Sequence, residues 1–103
     1  MDVTLQYFVG CPHWETTDRY LETLLAAGET IAIRYQLIDG HDAAMERGFR
    51  GSPTVLVDGV DPFSDPEARV GLACRVYRTD HGTVGSPTID QLRAVIASAQ
   101  DGR

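Results

Sequence analysis

Tyr7-Phe8-Val9-Gly10-Cys11-Pro12-His13-Trp14 is the stretch around which the rest of the chain is organised. It is typical of the end of a β-strand, a glycine turn and a cysteine at the opening of a helix. Pro12 suits the first helical position, because its missing N–H would have no intrahelical partner there. A thiol at this point lies near free backbone N–H groups and the positive end of the helix dipole, which both favour the thiolate. The stretch therefore predicts a reactive sulfur at Cys11.

The composition indicates a single globular domain spanning residues 1–103. The hydrophobic fraction is 43% and the charged fraction 23%, which suits one modest core. The net charge of −6 argues against a nucleic-acid partner and against binding to an anionic membrane surface. No apolar run reaches the length of a signal peptide or a membrane span. We therefore expect a cytoplasmic protein, where a cysteine pair is more often catalytic, metal-binding or buried than a structural disulfide.

The spacing of apolar residues predicts four elements in the first half: an apolar strand at 3–9, a helix at 12–27, a half-solvated or edge strand at 31–38 and a short helix at 42–46. Gly28 and Gly48 suit the position just after each helix, where glycine adopts a left-handed conformation easily. Asp42 is expected to cap the short helix.

The second half is predicted to hold two strands and a helix. An apolar strand follows Pro53 and ends at the turn Asp58-Gly59, a further strand covers residues 74–78, and a capping box at 88–91 starts the last helix. The tetrapeptide Gly-Ser-Pro-Thr occurs at 51–54 and again at 85–88, in such different contexts that we interpret it as chance. The element order β-α-β-α-β-β-α predicts an α/β fold with a mixed four-stranded sheet and helices on both faces.

Two motifs, set in this element order, resemble those of the thioredoxin fold. Gly10-Cys11-Pro12-His13 is similar to the Cys-Pro-His-Cys active site of the disulfide-oxidising members, with Trp14 in place of the second cysteine. Residues 48–56, Gly-Phe-Arg-Gly-Ser-Pro-Thr-Val-Leu, are similar to the Gly-Ile-Arg-Gly-Ile-Pro-Thr segment of thioredoxins, whose proline is cis and lies against the active-site thiol. More narrowly, the chain resembles small stand-alone thioredoxin-like proteins with a Gly-Cys-Pro-x-Trp motif, some of them labelled alkylmercury lyase-like.

The resemblance implies that Cys11 is the nucleophile of a thiol–disulfide exchange. His13, when protonated, would place a positive charge near it and favour the thiolate. Because Trp14 replaces the second cysteine, Cys11 is expected to act as a single active-site cysteine that a small-molecule thiol or a second protein releases. Simpler interpretations stay open: an unreactive Cys11, a solvated His13, and a Trp14 that only packs in the core.

The resemblance also implies a substrate-binding surface at the second motif. Pro53, in a cis bond, is expected to expose the backbone of Ser52 for pairing with an extended segment of a thiol-bearing or disulfide-bearing protein. The expected surface also includes the flanking residues Pro12, Trp14 and Thr54.

Cys74 is a possible second thiol, but its predicted position is unfavourable. It shares strand parity with Val76, while Arg75 and Tyr77 point the other way, so we expect Cys74 to be a small buried hydrophobe. An antiparallel partner of the strand after Pro53 would place it on the order of 10–13 Å from Cys11. A disulfide needs Cα atoms within about 7 Å. An intramolecular bond is therefore disfavoured unless the long connection at 59–72 redirects the strand.

No cofactor and no metal site is indicated. Asp61, Asp65 and Glu67 lack the spacing of a cation-binding loop and are expected to be solvated acids. Cys11 and His13 alone would leave half of a zinc coordination sphere empty.

Three functions remain from the sequence. The first is a monothiol thiol–disulfide oxidoreductase acting through Cys11. The second is a non-catalytic binding module of the same fold, in which Trp14 and Phe63 form a docking surface. The third is organomercurial or mercury chemistry, which would need Cys11 and Cys74 to converge.

Overall fold

The computed structural model describes residues 1–65 and 67–101. In chain order the elements are β1 (Asp2–Tyr7), α1 (His13–Ala26), β2 (Ala32–Leu37), α2 (His41–Arg47), β3 (Thr54–Val57), β4 (Tyr77–Thr79), β5 (Gly82–Val84) and α3 (Ile89–Asp101). The first three strands form one sheet in the order β2-β1-β3, with β2 parallel and β3 antiparallel to β1. Strands β4 and β5 form a separate antiparallel hairpin.

The main core lies between one face of the three-stranded sheet and helices α1 and α3. Alternate residues of a strand point to the same face, and the register places Val3 opposite Val57 and Leu5 opposite Val55. These side chains are buried against apolar residues of the two helices: Leu21, Leu24, Leu92 and Ile96. Burial of this kind stabilises a fold by about 1.5–3 kcal/mol per large aliphatic side chain.

A second, smaller core attaches α2. Ile38, Ala44 and Phe49 are buried together, and Phe8 packs against them from the segment that follows β1. This cluster holds the turn after β1, and with it the residues leading to Cys11, against the start of the chain segment that enters β3.

The prediction of a mixed four-stranded sheet with helices on both faces is wrong. Across residues 1–65 and 67–101 the chain forms a three-stranded sheet and a separate hairpin, with α1 and α3 packed over one face of the sheet. The element order was predicted up to β3. The predicted strand at 74–78 does not pair with β3, because residues 73–75 lie beside Ser52, before that strand begins. Strand β4 starts only at Tyr77 and pairs with β5, which the sequence analysis missed.

The ends of the helices follow most of the local signals. Gly28 and Gly48 follow α1 and α2 with φ angles of 103° and 64°, as predicted. Thr88 and Gln91 form the predicted capping box: the Gln91 N–H donates to Thr88 Oγ1 at 3.1 Å, and the Thr88 N–H donates to Gln91 Oε1 at 2.9 Å. Asp42 does not cap α2, since it lies within the first turn and Gly40 occupies the capping position without a side-chain bond.

Strand β2 is an edge strand of the sheet, as predicted. Within the two stretches that the structure describes, none of the helices combines the length and apolar character needed to cross a membrane.

Candidate functional site

Cys11 and Cys74 are joined by a disulfide, with their Cα atoms 5.7 Å apart. The predicted separation of about 10–13 Å is therefore wrong, and the stated exception, a strand redirected by the long connection before it, applies. That prediction assumed an antiparallel strand running beside β3 from its far end. The connection after β3 instead carries the chain back to Ser52, at the end of β3 that faces Cys11.

The segment at residues 71–76, which we call the strap, pairs with the backbone just before β3. The Ser52 N–H donates to the Ala73 carbonyl at 2.8 Å, and the Arg75 N–H donates to the Ser52 carbonyl at 2.9 Å. These two bonds form a parallel bridge that sets Cys74 opposite Ser52. An extended substrate would have to displace the strap to pair with the Ser52 backbone, which was the expected docking edge.

Gly51 permits this close approach. Its φ is 117°, a conformation that side-chain-bearing residues rarely adopt. A Cβ at this position would lie 2.9 Å from the Arg75 Cβ and 3.1 Å from the Ala73 carbonyl oxygen. Both the backbone angle and the contact with the strap therefore require glycine.

Arg75 anchors the strap to the interior. Its guanidinium pairs with both carboxylate oxygens of Asp61, at 2.7 and 3.3 Å, and donates to Thr54 Oγ1 at 3.1 Å and to the Phe63 carbonyl. It also lies 4.8 Å from the centre of the Tyr77 ring. Asp61 is thus partner to a buried arginine, and the prediction that it is a solvated acid is wrong.

The two faces of residues 74–77 are reversed relative to the prediction. The alternation itself holds, but Arg75 and Tyr77 are buried while Cys74 and Val76 are exposed. The inward side chains find partners that the local sequence does not show: Arg75 meets Asp61, and the Tyr77 hydroxyl donates to the Pro53 carbonyl. Burial is the main reason why the pKa of Tyr77 is raised well above its usual value.

The two cysteine residues therefore differ in exposure. Cys11 is completely buried, and Cys74, expected to be the buried one, is exposed. Cys11 Sγ lies 3.5 Å from the Ser52 carbonyl oxygen. Neither sulfur carries a hydrogen in the disulfide, so this carbonyl can accept a hydrogen bond from Cys11 only after reduction. The Ser52–Pro53 peptide bond is cis, as predicted.

The other predicted site residues surround this pair in different ways. Pro12 is exposed and lies one position before α1, at the N-cap without a side-chain bond, rather than at the predicted first helical position. His13 is exposed, and its ring lies over Gly85, where a Cβ would be 2.9 Å from Nδ1. Trp14 is half-buried, stacks on Tyr7 with ring centres 4.4 Å apart and packs against the main core, which supports its interpretation as a packing residue.

The centre of the second motif, residues 51–55, is buried. Ser52, Pro53 and Thr54 are all inaccessible or nearly so. Ser52 Oγ accepts a long bond of 3.4 Å from the Phe8 N–H, and Thr54 Oγ1 donates to the Gly51 carbonyl at 2.6 Å. These contacts help to fix the segment whose Ser52 carbonyl lies beside Cys11 and accepts the Arg75 N–H.

An apolar cleft of about 260 Å³ lies between residues that precede the two cysteines in sequence. It is lined by Val9 and Leu72, each two residues before a cysteine, together with Phe8, Leu37, Ile38 and Asp39. Val9 and Leu72 are exposed, so this cleft presents apolar side chains to solvent.

Sequence reasoning missed Arg75 and Asp61 as parts of this site. The available signal was a charged residue, Arg75, alternating with apolar residues in a predicted strand. Its partner Asp61 lies 14 residues earlier, in a loop.

Comparisons of the chain with protein-family models, with curated proteins and with solved structures give no match. The resemblance of its motifs to thioredoxin-like proteins therefore stays a prediction. The chemistry proposed below is based on the geometry around Cys11 and Cys74.

Proposed function

We propose that the protein carries out thiol–disulfide exchange through the Cys11–Cys74 pair. The observation that supports this most directly is the pairing of an exposed Cys74 with a buried Cys11 in one disulfide. Exchange requires a thiolate to reach one of the two sulfurs, and access selects which sulfur is attacked. The partner is a small-molecule thiol or a thiol-bearing or disulfide-bearing protein. The mechanism differs from the monothiol one because the second thiol comes from the same chain.

The reaction proceeds in two exchange steps. An external thiolate attacks Cys74 Sγ, a bond forms between these two sulfurs, and the Cys11–Cys74 bond breaks with its electron pair going to Cys11 Sγ. Cys11 takes a proton from solvent, and its S–H can then donate a hydrogen bond to the Ser52 carbonyl. A second external thiolate attacks the external sulfur of the mixed disulfide, so Cys74 leaves as a thiolate. Two external thiols are oxidised to a disulfide, and the protein disulfide is reduced to two thiols.

A purely structural crosslink is the alternative to be excluded. The cysteines are 63 residues apart in sequence, and closing a loop of that size stabilises a fold by about 4 kcal/mol in the chain-entropy description. Structural disulfides typically have reduction potentials below about −300 mV, whereas exchange-active pairs lie between roughly −270 and −120 mV.

Equilibration with glutathione buffers separates these two roles. The protein is incubated at a series of reduced-to-oxidised ratios, quenched with acid and alkylated, and the oxidised fraction is measured by mass spectrometry. For an exchange-active pair we expect half-reduction at a potential above about −300 mV. A disulfide that stays intact to more negative potentials would show a structural crosslink and would refute the proposal.

Single-cysteine variants test which of the two sulfurs an external reagent attacks first. Cys74 in the Cys11→Ser variant is expected to react with iodoacetamide at least ten times faster than Cys11 in the Cys74→Ser variant, because only Cys74 is exposed. In guanidinium chloride the two rates should become equal, which controls for intrinsic reactivity. Equal rates in the folded proteins would contradict Cys74 as the entry point.

Capture of a soft metal ion such as mercury(II) is a second candidate, favoured by one observation. The two thiols converge, with Cα atoms 5.7 Å apart, and thiolates are the preferred ligands of soft cations. The reduced protein should then retain one equivalent of mercury(II) against an excess of glutathione, and each single Cys→Ser variant should lose it. Equal loss from all three proteins would dismiss this candidate.

The binding-module function has less support. Trp14 and Phe63 both pack against the main core, and Phe63 also meets the Tyr77 ring edge-on at 5.4 Å. Both side chains are partly buried, so only part of each is available to the expected docking surface.

A further inference from the structure

We infer that Arg75 is a positioning residue that keeps Cys74 beside Cys11 while the disulfide is open. This inference rests on the proposed exchange function and adds to it the residue that controls reclosure. The juxtaposition behind it is an exposed, disulfide-bonded cysteine next in sequence to a buried arginine with fixed partners.

The strap has little else to hold it at this point. Its outward residues, Leu72, Ala73, Cys74 and Val76, are all exposed, and Arg75 is the member of the strap that is buried. The two backbone bonds to Ser52 lie on either side of Cys74. Further along the chain, the Gly71 N–H donates to the Phe49 carbonyl and the Tyr77 hydroxyl donates to the Pro53 carbonyl. Arg75 is the side-chain anchor next to Cys74 itself.

The anchor of Arg75 does not depend on the disulfide. Its partners are the Asp61 carboxylate, the Thr54 hydroxyl, the Phe63 carbonyl and the Tyr77 ring. None of these groups changes when the disulfide is reduced. In the dithiol form the anchored strap therefore keeps Cys74 at the Ser52 edge, next to Cys11.

An ordered dithiol closes more readily than a mobile one. The effective concentration of one thiol at the other depends on how much freedom the connecting segment must lose when the bond forms. With Arg75 in place that loss has already occurred during folding. Without it, every closure must first order the strap, so both the rate of closure and the stability of the disulfide against external thiols fall.

Lysine cannot replace arginine in this role. The guanidinium contacts Asp61, Thr54 and Phe63 at once because its planar fork presents several N–H donors in fixed directions. An ammonium group keeps the charge and one contact to Asp61, but it cannot reproduce the full set. Arg75→Lys therefore tests positioning with the charge of the chain unchanged.

The test compares wild-type protein, Arg75→Lys and the control Arg93→Lys. Arg93 also pairs with an aspartate, Asp90, at 2.7 Å, but on the exposed face of α3. Equilibrium with glutathione gives the effective concentration of the two thiols in each protein. We expect Arg75→Lys to lower it at least tenfold, which raises the reduction potential by about 30 mV. Arg93→Lys should stay within twofold of wild type.

Urea unfolding of the oxidised and reduced forms distinguishes positioning from general destabilisation. If Arg75 has a purely structural role, its substitution should lower the free energy of unfolding of both forms by equal amounts and leave the glutathione equilibrium unchanged. Such a result for Arg75→Lys, with exchange intact in the wild type, would overturn the inference. A wild type that does not exchange at all would instead refute the proposed function. If Arg75→Lys does not fold, Asp61→Asn removes the charge partner more mildly and should lower the effective concentration about threefold; an unchanged value would again overturn the inference.

Discussion

The two copies of Gly-Ser-Pro-Thr, at 51–54 and 85–88, are identical in sequence but have different structural roles. Both are largely buried, and both contact the segment that begins α1. In the first copy the serine backbone pairs with the strap, and its carbonyl lies beside Cys11. In the second copy Thr88 caps α3. Four residues alone do not determine which structure follows them.

The glycine shows what the two copies share. Gly51 accepts the strap backbone, and Gly85 accepts the ring of His13. In each case the missing Cβ leaves room for a neighbour. The neighbours differ in how easily they can move, because Gly51 faces backbone and Cβ atoms, whereas Gly85 faces an exposed side chain.

Adding a methyl group to each glycine should show the largest difference between the two copies. We expect Gly51→Ala to lower the free energy of unfolding by about 3 kcal/mol, combining backbone strain with overpacking against the strap. Gly85→Ala should lower it by about 1 kcal/mol or less, since His13 can rotate away. Urea unfolding at neutral pH measures both.

A double variant provides the control for this pair. Gly85→Ala combined with His13→Ala should recover most of the loss caused by Gly85→Ala alone. Similar losses at both glycines would mean that the strap yields as easily as an exposed histidine, contrary to the structure.

Replacing each threonine by valine should give the next largest difference. Thr54→Val leaves the Gly51 carbonyl without its hydroxyl donor and removes one partner of Arg75, which should lower the free energy of unfolding by about 2 kcal/mol. Thr88→Val removes a helix cap, worth about 1 kcal/mol. Urea unfolding of the two variants gives the comparison, and a larger loss at Thr88 would contradict it.

Replacing each serine should reverse the order, so that the second copy shows the larger loss of stability. Ser86 Oγ shares a buried hydrogen bond of 2.7 Å with Thr17 Oγ1, whereas Ser52 Oγ has only the 3.4 Å contact from Phe8. We expect Ser86→Ala to lower the free energy of unfolding by about 1–2 kcal/mol and Ser52→Ala by about 0.5 kcal/mol. Chemical unfolding of both variants is the measurement, with equal losses as the contrary result.

The hydrogen bonds to the two proline carbonyls should respond differently to high pH. The Pro53 carbonyl accepts the Tyr77 hydroxyl, while the Pro87 carbonyl accepts the Ser86 hydroxyl at 3.0 Å, which does not titrate in this range. Because the pKa of Tyr77 is raised in the folded state, its contribution to stability is complete below about pH 10, the unfolded value, and is lost as the pH rises toward the folded value.

Tyr77→Phe should therefore reduce the loss of stability above pH 10 by up to about 1.4 kcal/mol per pH unit. Tyr35→Phe is the control: the hydrogen bond to Asp18 raises the pKa of Tyr35 to about 12, but Tyr35 is half-exposed and solvent weakens the effect. Urea unfolding between pH 8 and 12 compares the variants. An unchanged slope in Tyr77→Phe would contradict burial as the source of the shift.

Short sequence patterns correctly predicted the features that depend on contacts between neighbouring residues. Gly28, Gly48 and the Thr88–Gln91 box were placed correctly because each acts within a few residues of itself. The hairpin of β4 and β5 was missed, although Gly82 with a φ of 96° lies at its turn. The short strands at 77–79 and 82–84 have too few residues to give a clear alternation.

The strap was mispredicted for a different reason. Its alternation was visible, but alternation does not say which side faces the core. Asp61 and Pro53 decide that by accepting hydrogen bonds from Arg75 and Tyr77. Both partners lie at least 14 residues away in sequence, so no local pattern contains them.

The sequence by itself determined the strand, turn and helix around Cys11 and most of the helix ends. These depend on backbone preferences and on contacts between near neighbours. Only the tertiary structure decided that Cys74 meets Cys11, that Cys11 is the buried sulfur, and that the sheet has three strands. Those outcomes depend on where a long connection brings the chain back, and a buried ion pair between Arg75 and Asp61 holds it there.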